Sequence, residues 1–154
     1  MQADVATTRQ SLKTATLKHL VLLQLAVRGP SHGYAIAKSL EELIPGWRPS
    51  LGTLYRVMDE LERDGYIECR REPGGRQKKV CSITSQGIHY LVSRITTQMK
   101  YIAYFYKLIA DAIDCIKEST TREERLVLLE HAERMKKAVE KIIKAVTEPT
   151  PSQA

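Results

Sequence analysis

Two groups of side chains in the first half of the chain have the types and spacing that contacts with nucleic acid require. The first group places three hydroxyls and one guanidinium within a single short segment: Ser50, Thr53, Tyr55 and Arg56. Arginine can bond the O6 and N7 edge of guanine, and hydroxyls can reach phosphates or bases. The alternatives are that Tyr55 packs on its own domain and that Arg56 is a solvated surface cation.

The second group is a local excess of positive charge. Five cations lie within ten residues of one another, with Glu72 as the one anion among them: Arg70, Arg71, Arg76, Lys78 and Lys79. The whole chain is also basic, with a formal net charge of +6. Clustered cations favour the phosphates of nucleic acid over an ordinary solvated hairpin face, which is the alternative.

The segments around these groups predict three helices followed by a β-hairpin. Apolar residues recur at helical spacing over 12–28, 32–43 and 51–64. Ser31 is the expected N-cap of the second helix and Ser50 that of the third, and Gly65 is expected just after the third helix. The third helix should bury an inner stripe of four apolar residues, Leu54, Val57, Met58 and Leu61.

Alternating residues over 66–72 and 78–84, with a turn signal over 73–77, predict the two strands of the hairpin. Three helices and a basic hairpin in this order are typical of a winged helix-turn-helix. Its third helix would enter the major groove of DNA, and its hairpin would lie along the flanking backbone.

The three cysteines do not suggest a disulfide framework or a zinc site, since their number is odd and no CxxC spacing occurs. Cys69 and Cys81 lie equidistant from Gly75, so they are expected to face each other on paired strands. Two buried core thiols are the favoured interpretation, and a redox switch is the alternative. A reducing cytoplasm is the expected compartment.

The second half of the chain has a different pattern. Nine apolar residues alternate at spacings of four and three, and we call them the seam: Ile88, Val92, Ile95, Met99, Ile102, Tyr106, Ile109, Ile113 and Ile116. Such a helix would be about 50 Å long at 1.5 Å per residue, too long for a three-helix domain to cover. The seam therefore predicts a homodimer, with packing inside one chain as the alternative.

Two further features belong to this half of the chain. Thr121 and Glu124 form a capping-box pattern that begins a last helix over about 122–146. An aromatic cluster lies beside the seam at Tyr101, Tyr104 and Phe105. Core packing is the favoured interpretation of this cluster, and a pocket for an aromatic or cationic small-molecule effector is the alternative.

The sequence resembles the PadR family of transcriptional regulators. The resemblance rests on four segments. Residues 29–34 begin the second helix and 49–55 begin the third, while 61–68 lead into the hairpin and 83–87 follow it. It implies that Tyr34, Ser50, Thr53 and Tyr55 contact DNA, that hairpin cations hold phosphates and that the C-terminal helices dimerise. Members of this family usually repress transcription and are released by a ligand or signal. Leu51 and Arg56 depart from the family's pattern, which often has proline at both positions, so the DNA sequence recognised should differ.

These observations together predict a mainly α fold with a small β-hairpin (α+β). Residues 11–84 would form the winged helix-turn-helix domain, 85–147 a two-helix dimerisation module, and 148–154 a disordered tail. No HExxH, GxSxG, Walker A or GxGxxG motif occurs, so we expect no enzyme, no cofactor and no metal site. No apolar run has transmembrane length, so we expect no membrane span.

The favoured function is a sequence-specific regulator, a PadR-like repressor that binds double-stranded DNA at an inverted repeat as a homodimer. Two alternatives remain. One is an architectural protein that binds DNA with little sequence preference, and the other is a winged helix used for contacts with proteins.

Overall fold

Five helices and three short strands make up the part of the chain that the computed structural model describes, residues 16–44, 46–73 and 78–149. In chain order they are α1 (16–28), β1 (Ser31–His32), α2 (Gly33–Leu43), α3 (Leu51–Arg63), β2 (Ile67–Arg71), β3 (Lys79–Ile83), α4 (Ser85–Ile116), a 3-10 turn (Lys117–Ser119) and α5 (Arg122–Thr147). The predicted mainly α fold with a small β element is confirmed. The expected tail falls largely on 150–154, which lie outside the described residues.

The core of the N-terminal part is built by α1, α2, α3, the sheet and the beginning of α4. Fourteen buried apolar residues form it, none more than 5% exposed: Leu17, Val21, Leu22, Leu25, Ile36, Ala37, Leu40, Leu54, Val57, Met58, Leu61, Ile67, Cys81 and Leu91. The predicted inner stripe of α3 is thereby confirmed in full. Burial of a side chain of this size stabilises the fold by about 1.5–3 kcal/mol, so four on one helix fix its orientation.

The sheet has three antiparallel strands in the order β1-β3-β2, where the sequence predicted a two-stranded hairpin. The added strand, β1, pairs Ser31 with Cys81 and His32 with Val80. Ser31 was therefore wrongly predicted as the N-cap of α2, because its backbone is extended and its hydroxyl donates to the Gly29 carbonyl at 3.0 Å. His32 is the N-cap instead and makes no side-chain capping bond.

The two cysteines of the hairpin are joined by a disulfide. Cys69 and Cys81 lie directly opposite each other on β2 and β3, as their equal distance from the turn predicted. The favoured interpretation of two core thiols is wrong, because the structure bonds the sulfurs to each other. Cys115 on α4 is free and exposed.

Two glycines control the passage from α3 into the sheet and on to α4. Gly65 has a φ of +78°, and the amide of Tyr66 donates to the Leu61 carbonyl at 2.9 Å, so α3 ends in a Schellman motif. Gly87 is buried in the first turn of α4, where a Cβ would lie 2.0 Å from the Tyr66 carbonyl oxygen. Only a residue without a side chain lets α4 approach the backbone at Tyr66, just before β2, this closely.

The chain divides into two compact units, Met1–Tyr101 and Ile102–Ala154, and the division falls within α4. The predicted domain boundaries at 84/85 and 147/148 remain a prediction. The start of α5 is as predicted, since the Thr121 amide donates to Glu124 Oε2 at 2.7 Å and the Glu124 amide donates to Thr121 Oγ1 at 3.2 Å. The hydrogen bond from the Thr121 backbone lowers the pKa of Glu124.

We expect Gly87→Ala to lower the free energy of unfolding by about 1–3 kcal/mol, the range for overpacking a tight site. Gly52→Ala is the matched control, because a Cβ at this position in α3 meets nothing within 4 Å. Because alanine has a higher helix propensity than glycine, Gly52→Ala should leave stability unchanged or raise it by up to about 1 kcal/mol. Urea unfolding at one protein concentration measures both, and equal stability of the two variants would contradict the packing assigned to Gly87.

Candidate nucleic-acid interface

The N-terminus of α3 presents two hydroxyls at the surface. The Ser50 hydroxyl caps the helix by accepting from the Thr53 amide at 3.2 Å, and it donates to Thr53 Oγ1 at 2.8 Å. Pro49, just before the cap, is buried. The predicted N-cap is confirmed, and the first turn of α3 offers hydroxyls and free backbone N–H groups at the same end.

Two tyrosines lie close to this end of α3. Tyr55 is 43% exposed, and its ring lies against Gly33, where a Cβ would come within 2.7 Å of Tyr55 Cε1. Tyr34 is 58% exposed, and the Arg48 guanidinium lies 5.6 Å from the centre of its ring. Tyr55 therefore packs on α2 with one part of its ring and remains accessible with the rest, so packing and contact with a ligand are compatible.

Arg56 projects from the exposed face of α3. Its guanidinium lies 4.0 Å from Glu60 Oε1, while Lys18 of α1 lies closer to the same carboxylate, at 3.0 Å from Oε2. The hydrogen bond from Lys18 is the largest cause that lowers the pKa of Glu60. Because Lys18 already compensates this charge, the half-exposed Arg56 is held only weakly and can turn toward a ligand.

We call β2, β3 and the loop between them the wing. Its cations differ in how exposed their side chains are and in which residues they contact. Arg70 is 84% exposed on its side chain and lies 3.7 Å from Glu68, and Lys78 is exposed as well. Arg76 lies outside the described residues. The side chains of Arg70 and Lys78 are therefore accessible from solvent.

Lys79 differs from the other wing cations because it contacts two carboxylates of α3. Its Nζ lies 3.3 Å from Asp59 Oδ1 and pairs with Glu62, whose hydrogen bond is the largest cause that raises the pKa of Lys79. Sequence reasoning missed this contact, although Asp59 and Glu62 are three residues apart and share one face of a helix. Lys79 thus attaches the wing to α3, and its predicted contact with DNA stays a prediction.

Among the described residues, no group of three or more His, Cys, Asp or Glu side chains is arranged to hold a metal ion. None of the helices described is long and apolar enough to cross a bilayer.

The family model "Transcriptional regulator PadR-like family" matches residues 22–93, which contain α2, α3 and the wing. Over this segment the chain is similar to the PadR-like family, as its sequence motifs suggested. The chain is also 40% identical, over 73 of its residues, to the transcriptional regulator YqjI of Escherichia coli strain K12. That match covers 47% of this chain and 34% of the relative, so the chain spans about a third of the length of the curated relatives it matches.

Solved structures of transcription factors share the fold. A PadR-like transcription factor from Bacteroides fragilis superposes with a TM-score of 0.58 at 19% identity, covering 67% of this chain and 98% of its own. A transcriptional regulator from Clostridium thermocellum gives 0.56 at 22% identity, with coverages of 63% and 93%. At these identities the likeness concerns the fold, and it agrees with the predicted winged helix.

We expect Lys79→Met to lower the free energy of unfolding by on the order of 1 kcal/mol, because Asp59 and Glu62 lose their common cation. Lys78→Met, at an exposed neighbouring position, should leave stability unchanged. The pKa of Lys79 is raised above its usual 10.5. Its contribution to the free energy of unfolding should therefore be fully present at neutral pH and be lost as the pH rises through the raised pKa, above 10.5. Urea unfolding at pH 7 measures the free energies of unfolding of both variants. Equal stability of the two would show that Lys79 does not hold the wing to α3.

Proposed function

We propose that this chain is a sequence-specific DNA-binding transcriptional regulator, a PadR-like repressor that acts in the cytoplasm and binds an inverted repeat as a homodimer. The observation that carries the proposal is the division of α3 into two faces. Its inner face is buried at Leu54, Val57 and Leu61, while Ser50 and Arg56 lie on the outside. An α-helix with side chains is about 10–12 Å wide, which fits the major groove of about 12 Å.

The wing supports the same placement. Lys79 attaches β3 to α3, so a wing that moves with the recognition helix presents Arg70 and Lys78 beside it. Cations beside a helix in the groove suit the phosphates that flank it, where they add affinity without sequence preference. Specificity would then come from α3, with Arg56 as the side chain best suited to read a base.

We expect Arg56→Ala to relax specificity at one base position in each half-site, at a cost of about 1–3 kcal/mol for the preferred base. Arg63→Ala is the matched control, because Arg63 is an exposed arginine at the opposite end of α3. Affinities for a set of operator variants at one salt concentration measure the effect. Loss of affinity to the same extent for every sequence would make Arg56 a phosphate contact and refute the assigned base contact.

The proposed homodimer rests on apolar surface that a single chain leaves uncovered. Seven of the nine seam residues are exposed, and only Ile95 and Ile113 are partly buried. No residue of α5 is buried, although it has apolar residues at Leu126, Leu129 and Ile142. Helices with exposed apolar faces need a partner, and a two-fold dimer is the commonest closed solution.

We expect Ile102→Glu to dissociate or unfold the dimer, because it would bury two carboxylates near the middle of the seam. Lys100→Glu places the same charge two residues away at a position outside the seam and should leave association intact. Sedimentation at micromolar concentration separates these outcomes. A wild-type monomer that still binds a single non-palindromic site would overturn the dimer.

We retain the aromatic cluster as a proposed contact for an effector. Core packing, the interpretation that the sequence favoured, is not met within the single chain, because Tyr101, Tyr104 and Phe105 are each more than 60% exposed. Large exposed rings on a helix proposed to dimerise could bind an aromatic or cationic ligand, and such a ligand would act by changing the spacing of two DNA-binding domains.

A further inference from the structure

We propose that Cys69 and Cys81 form a thiol–disulfide exchange site in the wing, in which Cys69 reacts with a low-molecular-weight disulfide and Cys81 closes the bond. In cytosolic proteins such bonds are usually transient and serve catalysis or redox sensing. The chemistry of the site stands by itself. Its effect on DNA affinity rests on the function proposed above.

The position of the two cysteines in the ladder favours bond formation without movement of the strands. The Glu72 amide donates to the Lys78 carbonyl at 3.1 Å, and the Thr84 amide donates to the Tyr66 carbonyl at 3.1 Å, so both of these pairs are hydrogen-bonded. Hydrogen-bonded and non-hydrogen-bonded pairs alternate along an antiparallel ladder. Cys69 and Cys81 lie three residue pairs from each of these hydrogen-bonded pairs, so they form a non-hydrogen-bonded pair. Side chains approach most closely at pairs of this kind.

The two sulfurs differ in access, which sets the order of reaction. Cys81 lies on the central strand and is 0% exposed, whereas Cys69 lies on the edge strand β2 and is partly exposed. A reagent from solution therefore meets Cys69 first, because reactivity of a thiol requires access as well as the thiolate. Cys81 contacts the core and can react only with a sulfur already beside it.

The reaction proceeds in two exchanges. The Cys69 thiol loses its proton, and the thiolate attacks one sulfur of the small disulfide, which breaks the sulfur–sulfur bond of the reagent and releases one thiolate. The Cys81 thiolate then attacks the Cys69 sulfur of the mixed disulfide and releases the second small thiolate. Two protein thiols are oxidised, one small disulfide is reduced to two thiols, and the two protons pass to the released thiolates.

The bond has a mechanical consequence because the two strands are held differently. β3 pairs with β1 on its other side, and Lys79 attaches it to α3. β2 is an edge strand, and it contains Arg70 and Arg71. The disulfide therefore joins β2, with its two exposed arginines, to β3, which is fixed. After reduction, β2 is held only by its hydrogen bonds to β3 and by packing.

The thiol chemistry is tested on the full chain with Cys115→Ser, so that the exposed third thiol does not interfere. After reduction, removal of the reductant and exposure to oxidised glutathione, intact mass and alkylation should show an internal disulfide and no retained glutathione. Cys81→Ala should trap glutathione on Cys69, and Cys69→Ala should leave Cys81 unmodified. Two results would overturn the site. One is the persistence of free thiols in the Cys115→Ser chain after exposure to oxidised glutathione, a measurement that needs no substitution in the wing. The other is modification of Cys81 in the Cys69→Ala variant that is as fast as modification of Cys69.

The consequence for DNA is tested with the oxidised and reduced forms of the same chain on operator DNA. The oxidised form should bind severalfold tighter and show a steeper salt dependence, by about 0.9 in slope for each phosphate contact retained. The variant with both Cys69→Ala and Cys81→Ala should not respond to oxidant. Equal affinities of the two forms would overturn the regulatory effect. Lack of DNA binding in both forms would contradict the proposed function itself, while the mass measurement still decides the exchange site.

Discussion

The burial of Leu54, Val57 and Leu61 in the core is the constraint on which the proposed DNA interface depends. These residues are fully buried, so α3 cannot rotate about its axis without exposing them. The opposite face, with Ser50 at its start and Arg56 a turn and a half later, is consequently directed outward. The same helix also holds the wing, through the contacts of Asp59 and Glu62 with Lys79. One buried stripe thus positions both parts of the interface.

Elements with a strong local pattern could be predicted from the sequence. α3 follows from its apolar spacing and Ser50 cap, α4 from the unbroken seam, and the start of α5 from Thr121 and Glu124. β1 could not be predicted, because two residues show no periodicity and their strand exists only through pairing with β3. A serine before a helix usually indicates a cap, and tertiary pairing overrode that preference at Ser31.

The candidate site was predictable in its location and less so in its contacts. Ser50, Tyr55 and Arg56 are exposed, as the periodicity of α3 predicted, and Arg70 and Lys78 of the wing are exposed as well. Whether a cation is free depends on neighbours distant in sequence, which is why Arg70 is exposed while Lys79 pairs with α3. The cysteines show the same limit, since equal distance from a turn predicts that Cys69 and Cys81 face each other and does not distinguish two thiols from one bond.

The central claim is that two copies of α3, held by helices that associate along the seam, read two half-sites of one DNA sequence. Selection of bound duplexes from a random library, with unrelated competitor DNA present at physiological salt, tests this claim most directly. The account predicts an enriched inverted repeat whose half-site centres lie one helical turn, about 34 Å, or a multiple of it apart. Retention of DNA without any enriched sequence, or enrichment of a single element without two-fold symmetry, would contradict it.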